Sequence, residues 1–569
     1  NYYTQEEVKE VIEYASDRGI RVVPEFDLPG HSSSWLVGYP ELGSFPNEEY
    51  KIEKKGLGIF SAILDPTKES VYDFLEGFLD EMVTLFPDQY LHLGGDEASS
   101  KTWNENSDIQ QFMRENDLSD SKELQNYFTK RVQKITSDKG KTMIGWNEIL
   151  NPNLPKEQIL IQSWTNHKSL WDAIKQGHNA ILSSGFYLDH KKSAATHYKV
   201  DPTVIPGAIN IEIDSTKWKS WDTFIEFNET IIEGQLFLFG ENENTKAIME
   251  LRDSPVGVDQ VNRNGNKIQF ELNSDVGKID ISFEIKGDSI LGSANISILE
   301  LALSGARTGG NDMPGGTPLP EFKKIEPLTP VQESRILGGE ACMWSETVDS
   351  RTIESRIWPR AAAIAEKLWS PKIETDQVSD MYRRLKVLDR QLENRGIQHT
   401  TASIEIIEEN IPVEFIKSIK ELIDVLQEDY FMNRLNIYGG IENFFTYTPL
   451  NRMVDAAFPE SLKAHTFNET VQNWSKTKNK QLEKVLVIQL EKWIENHQKL
   501  IPLFEENSPA NEIRLHSKHL AILSKAALRK IKGLESDQDV KQVIEQSKIN
   551  YGGTLLAVVD GLVSLIQDE

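Results

Sequence analysis

One cysteine, Cys342, stands alone among 569 residues, which excludes an internal disulfide framework and any thiolate metal cluster. No uninterrupted apolar run approaches the roughly 20 residues that a membrane-crossing helix needs. Positive charge is also scarce. Lys and Arg number 62 against 88 Asp and Glu, a net charge of -26. Such a surface repels phosphate backbones and anionic lipid, so neither nucleic acid nor a membrane surface is an expected partner. What remains is ordinary globular composition, 39% hydrophobic and 26% charged. At about 100–200 residues per domain it suggests three or four folded units. The first residue is Asn1, no signal sequence is visible, and a helical pattern begins almost at once, so further chain is expected upstream.

Up to about Ser370, helix-period and strand-like segments alternate. Val8, Val11, Ile12 and Ala15 mark one helix face, closed by Gly19. Val71, Leu75, Phe78 and Met82 mark a second, and Leu124, Tyr127, Phe128 and Ile135 a third. Strands are expected at Ile20–Phe26, Tyr90–Leu93, Thr142–Trp146, Ile159–Trp164, Asn179–Ser184 and Ile336–Met343. Helices between strands predict parallel βα units. Six strands of this kind fit a (β/α)₈ TIM-type barrel whose first two strands are not in this chain. A doubly wound open sheet is the rival, but no Gly-rich phosphate loop follows any of the strands.

From Pro206 to about Phe322 the rhythm changes. Ile268, Phe270 and Leu272 alternate, as do Ile279, Ile281, Phe283 and Ile285, and Asn264-Gly265 is a hairpin signal. An all-β domain inserted in one barrel loop is expected, serving as a spacer or binding carbohydrate. Beyond about Thr400 the pattern reads helical to the end, with Phe415, Ile419, Leu422 and Leu426, then Leu482, Leu486, Leu490 and Trp493. The expected layout is therefore 1–206 for the first part of the barrel, 207–322 for the inserted β domain, 323–399 for the last part of the barrel and 400–569 for a helical domain.

Catalytic groups of a βα barrel lie at the C-terminal ends of its strands, where the loops converge. Those ends carry Asp27 and His31, Asp96 and Glu97, Trp146 and Glu148, Trp164, Tyr187 and Asp189, and Trp344 and Glu346. Singly, a tryptophan there is core and an acid is a cap or turn residue. Across six strands, one pocket with aromatic walls and an acidic rim explains them better, and that suits a sugar: ring faces stack on indole and hydroxyls bond carboxylates. Asp96 and Glu97 follow two glycines. Close carboxyls raise one pKa and keep a proton available near neutral pH, which a glycosidic leaving oxygen needs. The bland alternative is a helix N-terminus, where acids offset the dipole.

Val23-Pro-Glu-Phe-Asp-Leu-Pro-Gly-His31 and His92-Leu-Gly-Gly-Asp-Glu97 resemble the paired motifs of family 20 glycoside hydrolases, the β-N-acetylhexosaminidases. Gly145-Trp-Asn-Glu148, Gln162-Ser-Trp164, Tyr187-Leu-Asp189, His197-Tyr-Lys-Val-Asp-Pro202 and Gly338-Gly-Glu-Ala-Cys-Met-Trp-Ser-Glu346 follow in order and rough spacing. The likeness implies retaining, substrate-assisted hydrolysis of terminal β-linked N-acetylhexosamine. In it the substrate's own acetamido oxygen attacks the anomeric carbon. Glu97 would be the general acid and base, Asp96 would accept the acetamido N–H, and Tyr187 would donate to the acetamido oxygen. Trp146, Trp164 and Trp344 would enclose the acetyl group and the sugar face, while Asp189 and Glu346 would bind hydroxyls. Asp27, His31 and His92 would stand behind the acids.

The resemblance further implies an oligosaccharide or glycoconjugate substrate, no cofactor, no metal and an extracytoplasmic location. The family's sugar-gripping arginine on the first barrel strand would precede this chain. Two other readings compete: a catalytically incomplete sugar-binding or scaffold protein, and a metal-dependent hydrolase using His92, Asp96 and Asp27. No His-x₃-His or cysteine spacing favours the second of these.

Overall fold

The computed structural model describes residues 2–45, 50–51, 58–205, 211–227, 230–251, 254–274, 277–296, 299–322, 326–371, 377–429, 434–435, 437–440, 443–506, 508–534 and 540–567. The chain divides into two compact units. The first runs to Gly185 and resumes from Asp201 to Glu340, and the second holds Phe186–Val200 and the chain after Glu340.

In the first unit, β1 (Tyr90–His92), β2 (Thr142–Trp146), β3 (Ile159–Ser163), β4 (Asn179–Leu182) and β14 (Ile336–Gly339) form one sheet in the order β1-β2-β3-β4-β14. Every pair is parallel. β3 is buried along its whole length, as a strand covered on both faces must be. Helices Gln5–Ser16, Glu69–Leu85 and Ser121–Asp138 lie where the apolar spacing predicts them. The last two turn Val71, Leu75, Leu124 and Phe128 into the core. Ile20–Phe26 departs from expectation. It contributes a single parallel bridge, Glu25 to His92, in place of a full strand. The ladder ends there because the Asp88 carboxylate takes the Tyr90 N–H at 2.9 Å and the Arg21 guanidinium at 2.6 Å.

Between β4 and β14 the chain builds a nine-stranded antiparallel sheet. Its strands are β5 (Trp218–Phe227), β6 (Thr230–Phe239), β7 (Lys246–Leu251), β8 (Ser254–Val258), β9 (Val261–Asn264), β10 (Lys267–Ser274), β11 (Gly277–Lys286), β12 (Ser289–Ile296) and β13 (Leu299–Gly310). The alternating residues pair as their spacing requires, Ile268 with Phe283 and Phe270 with Ile281. Gly265 turns β9 into β10 with φ +63°. Trp221, Leu236, Met249, Ile290 and Leu303 share one core with them.

The second unit is mostly helical after Thr400. Leu486, Leu490 and Trp493 of helix Lys480–Glu505 pack with Leu520 and Leu523 of helix Arg514–Ile531. One expectation fails here. The helix carrying Ile419 and Leu422 ends at Ile423, and Leu426 begins a strand, Leu426–Glu428, antiparallel to Thr554–Leu556. Asp424 caps the helix, and Ala557 donates its N–H to the Val425 carbonyl at 3.0 Å, drawing the chain into the ladder. No helix among the described residues is long and apolar enough to cross a membrane.

Gly292 on β12 admits no side chain, since a Cβ there would lie 2.0 Å from the Ser282 carbonyl oxygen on β11. Gly292→Ala should therefore destabilise the nine-stranded sheet by about 2 kcal/mol or more. Faster amide exchange in β11 and β12 of the variant would register this; unchanged protection would refute it.

Candidate active site

β1 ends at His92 and the chain turns through Leu93-Gly-Gly-Asp-Glu97. Gly94, Gly95 and Glu97 all have positive φ, +64°, +101° and +49°. Glycine is needed at the first two for space as well as backbone freedom. A Cβ on Gly94 would stand 1.6 Å from Asp27 Oδ1, and one on Gly95 2.3 Å from Ile149 Cγ2. The close approach lets Asp27 Oδ1 accept the Gly95 N–H at 3.0 Å. Glu97 is thus not in an extended conformation. Both carboxyls face His31 Nε2, at 3.5 Å for Asp96 and 3.3 Å for Glu97. His31 also holds a left-handed backbone, φ +46°. Such strain in non-glycine residues persists where surrounding contacts enforce it, often at functional sites.

The electrostatics follow from this packing. Hydrogen bonds to Asp96 and Glu97 raise His31 to about 10, so it is an imidazolium at neutral pH. Burial, then the charge and hydrogen bond of Asp96, push Asp27 up to about 8. Asp27 therefore keeps its proton and donates it to Asp96. Ligand atoms of Asp27, His31 and Asp96 lie within 4.8 Å of one another, close enough for a metal ion. The hydrogen bonds of His31 to Asp96 and Glu97 and of Asp27 to Asp96 tie the trio together through protons.

Two indoles are anchored by acids. Trp146, 2% exposed, donates Nε1–H to Glu25 Oε1 at 3.0 Å and packs edge-on against His92, ring centroids 4.8 Å apart. His92 Nδ1 accepts the Gly94 N–H at 3.1 Å, and burial pushes that ring down to about 4, so it is neutral. Trp164 donates Nε1–H to both oxygens of Glu148 at 3.0 Å, and its backbone N–H to Asn147 Oδ1 at 3.1 Å. Burial raises Glu25 and Glu148 each to about 7. Gln162 Nε2 reaches Glu340 Oε1 and Ser183 Oγ, both at 2.8 Å. Sequence reasoning assigned no role to Glu25, Asn147, Gln162 or Glu340. For Glu25 a signal existed: it stands two residues before Asp27, on the same face of an extended segment.

The second unit carries the other expected residues. Tyr187 is buried and stacks on His190 with centroids 4.8 Å apart. Burial, and after it the charge of Glu346, raises Asp189 to about 6. Trp344 is 41% exposed, unlike the buried Trp146. The structure thus gathers Asp27, His31, His92, Asp96, Glu97, Trp146 and Trp164 within the first unit, and Tyr187, Asp189, Trp344 and Glu346 within the second.

Paired acids set among indoles are the equipment of a glycoside hydrolase. Residues 1–246 and 313–372 match Glycosyl hydrolase family 20, catalytic domain, and the chain belongs to that family. It is 40% identical over 211 residues to a beta-hexosaminidase of Porphyromonas gingivalis, covering 37% of this chain and 26% of that protein. Against the beta-hexosaminidase subunit alpha of Rattus norvegicus it is 28% identical over 418 residues, 72% of this chain and 55% of that one. The chain thus spans about a quarter and just over half of these relatives. The crystal structure of a chitobiase from Flavobacterium johnsoniae superposes with a TM-score of 0.70 at 28% identity, over 99% of this chain and 68% of that one.

Raised pKa values make the cluster sensitive to alkali. Asp27 and His31 both titrate higher folded than unfolded, so the stability they add is complete at low pH and drains as pH rises. For Asp27 the window runs from about 4 to about 8, and for His31 from about 6.5 to about 10. Asp27→Asn removes the first window but keeps a donor for Asp96. Its thermal midpoint should fall less between pH 4 and 8 than that of the parent protein. Parallel midpoint curves across that range would contradict the assignment.

Proposed function

We propose that the protein is an exo-acting β-N-acetylhexosaminidase releasing terminal β-linked GlcNAc or GalNAc through an oxazolinium intermediate. The observation that carries this reading is the turn that aims two adjacent carboxyls at one imidazolium. A retaining glycosidase with an enzymic nucleophile needs carboxyls about 5 Å apart across the scissile bond. Neighbouring acids on one turn suit a reaction whose nucleophile belongs to the substrate. The names of the relatives, beta-hexosaminidase and chitobiase, support the same substrate class.

In this mechanism Glu97 protonates the leaving oxygen and then takes a proton from the attacking water. Asp96 accepts the acetamido N–H, aligning the group and balancing the positive charge that forms on cyclisation. Asp27 donates a hydrogen bond to Asp96, and His31 Nε2 stands 3.5 Å from the same carboxyl. Holding the acetamido in attack geometry supplies several kcal/mol through effective concentration. Tyr187 donates to the acetamido oxygen, Trp146, Trp164 and Trp344 line the acetyl and ring faces, and Asp189 and Glu346 bind sugar hydroxyls. The five parallel strands are, in this reading, part of an eight-stranded barrel, and the enzyme works outside the cytoplasm.

Glu97→Gln should lower kcat/KM by about 10²-fold or more on chitobiose, whose leaving group needs a proton. With an activated aryl N-acetylglucosaminide the loss should be far smaller. Equal losses on both would remove the acid role from Glu97. Asp96→Asn should slow both substrates, because misalignment of the nucleophile is independent of the leaving group. Exhaustive chelation should leave turnover unchanged; loss restored by a divalent cation would instead favour a metal held by Asp27, His31 and Asp96.

A further inference from the structure

The second unit contains a knot of buried charge that no step above uses. Glu428, on the short strand Leu426–Glu428, is fully buried and meets three basic side chains. Lys191 Nζ lies 3.5 Å from Glu428 Oε2, Arg356 Nη2 lies 3.6 Å from the same oxygen, and Arg434 pairs with Oε1. Arg434 also pairs with Asp455, whose other oxygen accepts the Tyr438 hydroxyl at 2.6 Å. Burial alone would raise the Glu428 carboxyl, but Arg434, Lys191 and Arg356 together hold it at about 2, so it is ionised at any working pH.

Lys191 is the informative member, because it closes the turn that bears Tyr187 and Asp189. Tyr187 caps the 3₁₀ turn Leu188–His190, and Lys191 ends it with φ +57°. The backbone of the turn is also held. Leu188 donates its N–H to the Cys342 carbonyl at 2.8 Å. Arg360 donates to the carbonyls of Leu188 at 2.6 Å and Lys192 at 2.9 Å. Three of these contacts fix backbone, whereas Lys191 sends its side chain into the helical region. Burial, with the charges of Arg356, Arg434 and Arg360 behind it, pushes Lys191 well below the usual lysine range, and the Glu428 carboxylate 3.5 Å away is the group that opposes that shift. The position of Glu428 is set in turn by pairing with Thr554 and by its N–H bond to the Phe458 carbonyl at 2.8 Å.

We propose that Lys191 and Glu428 are a positioning pair that holds the Leu188–His190 turn so that the Tyr187 hydroxyl meets the acetamido oxygen. The proposal rests on the role given to Tyr187 above. It assigns the C-terminal helical region a part in turnover: it supplies the counter-charge that fixes the angle of a donor essential to cyclisation. Substrate binding depends on other groups as well, so the effect falls on kcat more than on KM.

The test uses the full chain and 4-nitrophenyl N-acetyl-β-glucosaminide, with the variants Lys191→Met, Glu428→Gln, Tyr187→Phe and each of the first two combined with Tyr187→Phe. Lys191→Met leaves Arg356 and Arg434 facing Glu428 and Asp455, a balanced set, so it keeps the test sound if Glu428→Gln does not fold. Lys191→Met, and Glu428→Gln where folded, should each lower kcat about tenfold with KM within about twofold. In the Tyr187→Phe background neither should lower kcat further, because a residue acting through Tyr187 has nothing left to position. Full kcat in Lys191→Met would overturn the proposal, and so would losses that multiply with that of Tyr187→Phe. Full kcat in Tyr187→Phe would instead withdraw the role of Tyr187 itself, a failure distinguishable from the others.

Discussion

The left-handed turn after β1 is the constraint on which the chemistry depends. An extended chain points neighbouring side chains apart; only the positive φ of Glu97, prepared by Gly94 and Gly95, aims Asp96 and Glu97 at one imidazolium. The turn is held from the other side by Asp27, packed where any Gly94 side chain would be. Geometry and electrostatics are therefore inseparable. The same contact that forbids a Cβ places a protonated acid against Asp96 and leaves the cluster with a cation at its centre.

Around that turn, a recurring arrangement fixes indoles by acids. Glu25 holds Trp146 and Glu148 holds Trp164, each through an indole N–H at 3.0 Å. An indole so tethered presents a set plane, which a sugar ring needs more than it needs apolar area alone. In the second unit, Glu428 pairs with Lys191 at the end of the turn that bears Tyr187.

Much of this was legible in the residues, and the parts that were not share a cause. β1 to β4 and β14 were readable because an apolar run flanked by helices has few other uses, and the hairpin pairs of β10 and β11 because alternation of period two fixes a face. Acids and tryptophans stood out at the strand ends. Ile20–Phe26 looked like a sixth strand since periodicity cannot tell that Asp88 will occupy the Tyr90 amide. Leu426 fell on the helical spacing, yet Asp424 ends that helix and a partner over a hundred residues later takes the chain as a strand. The direction of Glu97 was hidden because a local sequence does not declare a left-handed acid. Lys191 and Glu428 were invisible for the same reason: each looks like a solvated surface residue until the fold buries both.

The placement of the nine-stranded sheet has its own consequence for how the molecule is made. β14 completes the parallel sheet by pairing with β4, and roughly 150 residues of antiparallel sheet and loop separate the two in the chain, a long-range closure of the slow kind. During synthesis the exposed edge of β4 must wait, unpaired, while the whole intervening sheet leaves the ribosome and folds. That interval is a window for mispairing.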